Sequence, residues 1–446
     1  MTQYPQILIG MAPLRVAICS PLGSLLNRAD LCRHSTESAA IIFHVRKRDE
    51  NPHVPMSLEQ PSYQEPAFLS YGFRPFFLCT ALFAGLVIPV WALILTGTGE
   101  VKFLYAARDW HAHEMLFGFL PAAITGFLLT AIPNWTERPP LRGVPLFLLV
   151  ALWLSGRLAI AIPWPAPLVA AVIDATFLVV LAAFVWREIS AGKAWDRTPI
   201  GVIISLYAGA NILFHLLALR GAETDLPERI PLALMMLLLA LIGGRIIPTF
   251  TNDHLARQGL PEQITSFTRF DGLSLVFQVI GAIAWTAQPQ AMETAWILVA
   301  AGLLHAIRLS RWRAWTAWRE PLVLILHLGY GWLALSLVLL GGSILGWGLQ
   351  TADAVHALTT GAMGAMTLAV MTRASLGHTG RPLHADFMTA VIYVLVNLGA
   401  LLRVFGPAIG LPTNLMLGMA ATAWSGAYLL FAALYGPLLV RPSIDE

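Results

Sequence analysis

The sequence predicts an all-α membrane protein of about twelve transmembrane helices, organised as three repeats of a four-helix unit. Three observations predict it. Of the 446 residues 57% are hydrophobic and only 12% charged, whereas a soluble domain carries ~25% charged residues; the mean hydropathy is +0.69. Apolar stretches long enough to cross a ~30 Å hydrocarbon core recur from Tyr71 onward. Motifs in the second, sixth and tenth of these stretches repeat one another. A soluble fold would need a single core larger than chains of this length build.

The first 65 residues stand apart. They are polar and mixed, with Arg46, Lys47, Arg48, Asp49 and Glu50 ahead of a proline-containing stretch, and hold no run of bilayer length. Between Met11 and Leu26 the chain approaches a targeting signal, but Pro21 and Gly23 interrupt its apolar region. Residues 1–65 are therefore expected to be an extension, disordered or an artefact of the chosen start, with Met56 an equally good initiator. The membrane domain is expected over 66–446. Its spans are predicted at 74–96, 111–132, 144–162, 167–187, 200–219, 230–250, 270–287, 292–309, 321–345, 352–372, 385–403 and 413–438.

Charge placement orients them. Loops after even-numbered spans carry Arg138, Arg142, Arg187, Lys193, Arg257, Arg311, Arg313, Arg319 and Arg381, while loops after odd-numbered spans hold few basic residues. The positive-inside rule then places both termini in the cytoplasm. Trp91, Trp110, Trp135, Trp164, Trp186, Trp285 and Trp347 fall near span ends, as in an aromatic belt. The segment Arg311–Arg319, with Trp312, Trp315 and Trp318, reads as an inner-leaflet anchor. Basic residues occur singly rather than on one face, which excludes nucleic acid as a partner and leaves the lipid bilayer. Cys19, Cys32 and Cys79 show neither metal-ligand spacing nor a disulfide framework.

Spans two and ten match at one constant offset: His113 with His356, Gly118 with Gly361, Ala122 with Ala365, Ala131 with Ala374, Thr136 with Thr379, Arg138 with Arg381 and Pro139 with Pro382. Span six echoes them through Pro248, Thr251 and Arg245. Steps of four helices preserve orientation, so the repeat is parallel.

A neutral imidazole in hydrocarbon has a donor and an acceptor to satisfy, so intramembrane histidines face the bundle interior and mark functional sites. His111, His113, His215 and His356 all lie toward the outer side. Two imidazoles on facing helices can ligate a haem iron, and several at one level can ligate copper. His111 and His113 point about 200° apart on a helix, so one at most faces a given cofactor. The bland alternative is a set of core histidines bonded to Thr, Asn or carbonyls. His305 and His327 share a depth on adjacent helices and form a candidate inner metal site. On span ten His356, Thr360, Met363, Thr367 and Met371 share one face, beside Gly361 and Gly364, which admit a helix or a flat macrocycle. Arg157 and Asp174 lie at similar depth and read first as a structural ion pair. Asn211 stands one turn before His215 and is placed to bond it. Arg74 and Arg245 either snorkel or bind an anion.

The stretches YGFRPFFL (71–78), HAHEMLFGF (111–119), TAIPNWTERPPLRG (130–143), GGRIIPTFT (243–251) and HALTTGAMGAMTLAVMTRASLGHTGRPL (356–383) resemble the NnrS family of bacterial inner-membrane proteins over roughly residues 66–440. The resemblance implies a haem- and copper-containing protein of nitric oxide metabolism and nitrosative-stress resistance, found beside denitrification genes. A looser similarity joins His111-x-x-x-Met115-x-Phe117 to the second-helix haem motif of the haem-copper oxidase catalytic subunit, with a one-residue length difference before Pro121. That oxidase family's adjacent His-His copper pair has no counterpart here, so an oxygen- or nitric-oxide-reducing binuclear centre is not implied.

The expected function is a haem b protein, with copper as second metal, that handles nitric oxide and takes electrons from an unidentified donor. One axial ligand is expected to be His356 and the other His113, favoured by the repeat, or His111, favoured by the oxidase motif. Copper is expected at His215 with the remaining outer histidine. Arg373 or Arg381 would neutralise propionates if a haem lay toward the inner face. The rivals are a twelve-helix secondary transporter, which typically shows an inverted repeat, and a membrane sensor or scaffold.

Overall fold

Once an apolar stretch enters lipid, its backbone N–H and C=O groups have no water to bond, and a helix satisfies them within the segment. The computed structural model describes residues 66–97, 103–163, 166–261, 264, 265 and 267–444. Among these there is no strand, and twelve helices are long and apolar enough to cross a membrane. They are α1 (Phe73–Leu95), α2 (Ala107–Thr136), α3 (Gly143–Ala161), α4 (Pro167–Ala191), α5 (Thr198–Ala218), α6 (Asp225–Arg257), α7 (Arg269–Ala287), α8 (Met292–Ser310), α9 (Pro321–Ile344), α10 (Thr351–Gly377), α11 (Phe387–Phe405) and α12 (Thr413–Val440). Each coincides with a predicted span. The largest departure is α6, whose 33 residues overrun the expected 230–250 at both ends. Its added turns carry Asp225, Glu228, His254 and Arg257: a helix can continue past the apolar run when its ends are polar enough for the interface. The extension at 1–65, and with it Cys19 and Cys32, lies outside the described residues, as does Trp164.

The described residues form one unit. Consecutive helices pack side by side, and α1 closes on α12. The most buried spans are α2, α6, α9 and α10, so three of the four are the helices the repeat singles out. Large apolar side chains such as Leu86, Val144 and Ile283 stay exposed on the outside, where lipid is their solvent. Arg74 is fully buried rather than reaching to the surface. Its guanidinium donates to the carbonyls of Leu439 (3.2 Å) and Arg441 (2.5 Å) and to Ser443 Oγ (2.8 Å), and so caps the end of α12. At the start of α11, Asp386 accepts the Thr389 backbone N–H at 2.7 Å, a side-chain N-cap. Those bonds hold its carboxyl below the ordinary carboxylate range.

The repeat has a backbone signature. Directly after His113, α2 widens into a π-helical stretch, Glu114–Phe119, and directly after His356, α10 does the same over Ala357–Met363. Such widening leaves carbonyls poorly bonded along the helix, and it recurs at functional sites. Buried donors compensate in α2: Tyr207 Oη donates to the Leu116 carbonyl (2.6 Å) and Trp153 Nε1 to that of Gly118 (3.0 Å).

Candidate cofactor cavity and polar cluster

The four outer histidines separate into two pairs, because His111 and His113 leave α2 on nearly opposite sides. His111 and His356 line one cavity of about 560 Å³, within the ~300–1,000 Å³ range of cofactor sites. The His111 ring stacks on the Trp91 indole, centroids 4.5 Å apart and planes 7° from parallel. Its Nδ1 is buried without a hydrogen-bond partner. His356 Nδ1 lies 2.7 Å from the Ala352 carbonyl; a carbonyl only accepts, so Nδ1 carries the proton and Nε2 keeps its lone pair. Among the described residues neither ring's Nε2 has a hydrogen-bond partner.

The cavity wall is apolar at depth, with Phe119, Leu120, Met363 and Trp424. Toward the end where α2, α6 and α10 begin it carries Arg108, Arg229 and Arg403. Arg108 donates to both oxygens of Glu228 (3.1 and 3.0 Å) and to Asp225 (2.9 Å). Arg403 donates to Asp353 at 2.7 Å, and Arg229 Nε is buried without a partner. Sequence reading missed these three arginines. Their signal was available only as three basic residues in otherwise Arg-poor loops.

His113 and His215 instead enter a buried polar cluster with Asp174, the His113–Asp174–His215 group having one ligand atom from each within 4.8 Å of the others. Asp174 Oδ2 lies 2.9 Å from His215 Nε2 and 3.2 Å from His113 Nε2, and accepts from Asn211 Nδ2 at 3.0 Å. The other carboxylate oxygen is held by Arg157, which also bridges both oxygens of Glu114 at 3.0 Å. Tyr105 Oη sits 2.6 Å from His215 Nδ1, and Glu114 Oε1 3.0 Å from His113 Nδ1. Burial, then the charges of Asp174 and Glu114, push the Tyr105 phenol well above its ordinary range, keeping it a neutral hydroxyl. Asn211 therefore bonds Asp174 and not His215 as expected, because the carboxylate lies between them. Arg157 and Asp174 do form an ion pair, but with Glu114 as a third member. Glu114 was legible: a carboxylate beside a histidine within a span marks a site by itself.

Gly118 explains how Arg157 fits, since a Cβ there would collide with the guanidinium. The same device recurs in α6, where a Cβ on Gly244 would strike Arg308. Arg308 donates to Asp271 (2.7 Å), the Ala240 carbonyl (3.1 Å) and Tyr330 Oη (2.8 Å), and Tyr330 Oη meets His305 Nδ1 at 2.7 Å.

His305 and His327 bond separate partners in and beside that second cluster. Tyr330 receives an N–H from Arg308, so its own proton goes to His305 Nδ1 and uses that lone pair. His327 has carbonyls at both nitrogens, Val323 at 3.1 Å and Trp312 at 3.3 Å, partners that accept only. Arg373 and Arg381 also lie away from the cavity. Arg373 is roughly 25 Å along α10 from His356 at 1.5 Å per residue, with its guanidinium 3.6 Å above the Phe250 ring; Arg381 Nη1 donates to the Thr379 carbonyl at 3.4 Å. The π-helical turn also breaks the expected stripe on α10: Thr359, Thr360 and Met363 line the cavity with His356, whereas Thr367 and Met371 do not. Gly361 and Gly364 seat the indoles of Trp332 and Trp424, and Trp91 and Trp285 turn into the cavity rather than toward lipid.

A family model described as "NnrS protein" matches residues 67–443. The chain belongs to the NnrS family. As an NnrS-family protein it matches across all twelve helices, so the cavity and the polar cluster both fall inside the shared region. No curated protein matches the chain.

Proposed function

We propose that the chain is a multi-pass inner-membrane haem protein of nitric oxide metabolism and nitrosative-stress resistance. Haem b lies between His111 and His356 near the periplasmic face, both termini are cytoplasmic, and copper is held at His113 and His215. The cavity shared by His111 and His356 supports this reading. His356 on α10 presents an Nε2 lone pair and His111 on α2 two ring nitrogens that no hydrogen bond uses, and imidazole is a usual axial ligand of haem iron. The residues present fit the group. The Ala352 carbonyl fixes the tautomer of His356 and the Trp91 indole fixes the plane of His111, which is how bonded ligands are oriented. Arg108, Arg229 and Arg403, in the cavity lining, would hold the propionates. Phe119, Leu120, Met363 and Trp424 keep water from the depth of the pocket. Haem supplies nitric-oxide-binding and one-electron chemistry there, with electrons from a donor outside this chain. Arg373 and Arg381 have no part in it.

The test is purification of the full chain from haem- and copper-replete cells with an absorption spectrum. A haem Soret band is expected in the wild type, falling at least tenfold in His111→Ala and in His356→Ala while His113→Ala retains it. A colourless wild-type protein ends this reading, and a band that depends on His113 instead of His111 reassigns the ligand.

A further inference from the structure

With neutral imidazoles the polar cluster around Asp174 contains a donor–acceptor conflict. Glu114 Oε1 is a carboxylate oxygen, so the His113 Nδ1 beside it carries a proton, and Nε2 of the neutral ring keeps a lone pair. That lone pair faces Asp174 Oδ2 and Asn211 Oδ1, both at 3.2 Å. Three acceptors converge with no proton among them. Turning the Asn211 amide over relieves one contact and creates another, because its oxygen would then face Asp174. A positive charge between these atoms removes the conflict.

The size of that charge follows from a count. Glu114 and Asp174 bring two negative charges, both buried, against one from Arg157. Among the described residues no other charged side chain is bonded to the three. With neutral imidazoles the cluster is one positive charge short, and an unbalanced charge in low dielectric is costly. In the second cluster of the same chain Asp271 meets Arg308, buried beside it, and the more exposed Arg311 at 3.6 Å, so no positive charge is missing there, and Tyr330 uses the His305 Nδ1 lone pair.

We propose that His113 Nε2, Asp174 Oδ2 and His215 Nε2 enclose a site for one monovalent d¹⁰ cation, Cu(I) among biological metals. Asp174 is its third ligand. This rests on the reading of the chain as a copper protein and adds both the carboxylate ligand and the charge state. With both Nε2 atoms on the metal, each ring carries its proton on Nδ1, and each Nδ1 already has an acceptor, Glu114 for His113 and Tyr105 for His215. Metal-ligating histidines use their second nitrogen in this way. A divalent ion would leave the buried cluster with a net positive charge and is disfavoured.

The full chain, purified and stripped of copper with haem retained, is offered Cu(I) or Ag(I) anaerobically, or Zn(II), then desalted and analysed for metal content. One Cu(I) or Ag(I) per chain is expected, with Zn(II) retained at least tenfold less. X-ray absorption of the copper-loaded protein is expected to show a Cu(I) edge. Asp174→Asn and, separately, His215→Gln should each cut Ag(I) retention at least tenfold, and His384→Ala, at an exposed histidine outside the spans, should leave it unchanged. His215→Gln serves if Asp174→Asn does not accumulate, since it leaves the charges in place. Zn(II) retained as well as Ag(I) overturns the charge count. A chain that holds no metal overturns the site, with a proton on His113 as the cation. A wild-type chain without a Soret band that still binds Ag(I) sinks the haem assignment alone.

Discussion

At the scale of single residues, two glycines decide whether buried arginines have room. Gly118 and Gly244 lie against Arg157 and Arg308, and a methyl group at either position meets a guanidinium. Gly118→Ala and Gly244→Ala are each expected to lower stability by about 1–3 kcal/mol, the usual range for overpacking, read as a lower melting temperature in detergent. Only Gly118→Ala should also reduce copper content, because Arg157 alone adjoins the histidine pair. Equal copper loss in both would show that the two clusters are not independent. The residue types at these sites were legible in the sequence, since a histidine or carboxylate inside an apolar run is costly without a purpose. Of their partners, only the pairing of Arg157 with Asp174 was. Nothing local says that His111 meets Trp91 or that Asp174 sits between His113 and His215, because those contacts join different helices.

At the scale of elements, the spans were readable because length and apolarity fix a helix in lipid almost without competition. The π-helical stretches of α2 and α10 were not, and they matter more to the site than any helix boundary. Side-chain direction on a regular helix advances 100° per residue, so the stripe drawn from His356 to Met371 assumed a register that the wider turn breaks after Met363. Deleting Thr359 should return Ala357–Met363 to ordinary α-helix and turn His356 by about 100° relative to the rest of α10. The expected result is loss of the Soret band with the circular dichroism helix signal unchanged. Retention of haem in that variant would mean that the π turn does not aim the ligand.

For the whole molecule, the basic-residue asymmetry predicts which end faces the cytoplasm, and the cavity's position follows from it. Trp347 and Trp318 are exposed at 56% and 62% and flank α9 at opposite ends. In intact spheroplasts, a single cysteine at Trp347 should react with a membrane-impermeant maleimide and one at Trp318 should not. The reverse pattern would put the cavity at the cytoplasmic end. The repeat was visible as matched residues in spans two and ten, and the two π turns reinforce it. What the offset alone misjudged was equivalence of role: it pairs His113 with His356, yet the first enters the polar cluster and the second the cavity, because neighbouring helices around α2 and α10 differ.

The clasp between Arg74 and the last turn of α12 has a consequence for biogenesis. A guanidinium made near the beginning of the membrane domain waits for carbonyls that leave the ribosome last. Until α12 inserts, the Leu439 and Arg441 carbonyls that this guanidinium clasps are not in place, and a translation product halted before Leu438 should be a substrate for membrane quality-control proteolysis even though eleven of its helices are complete.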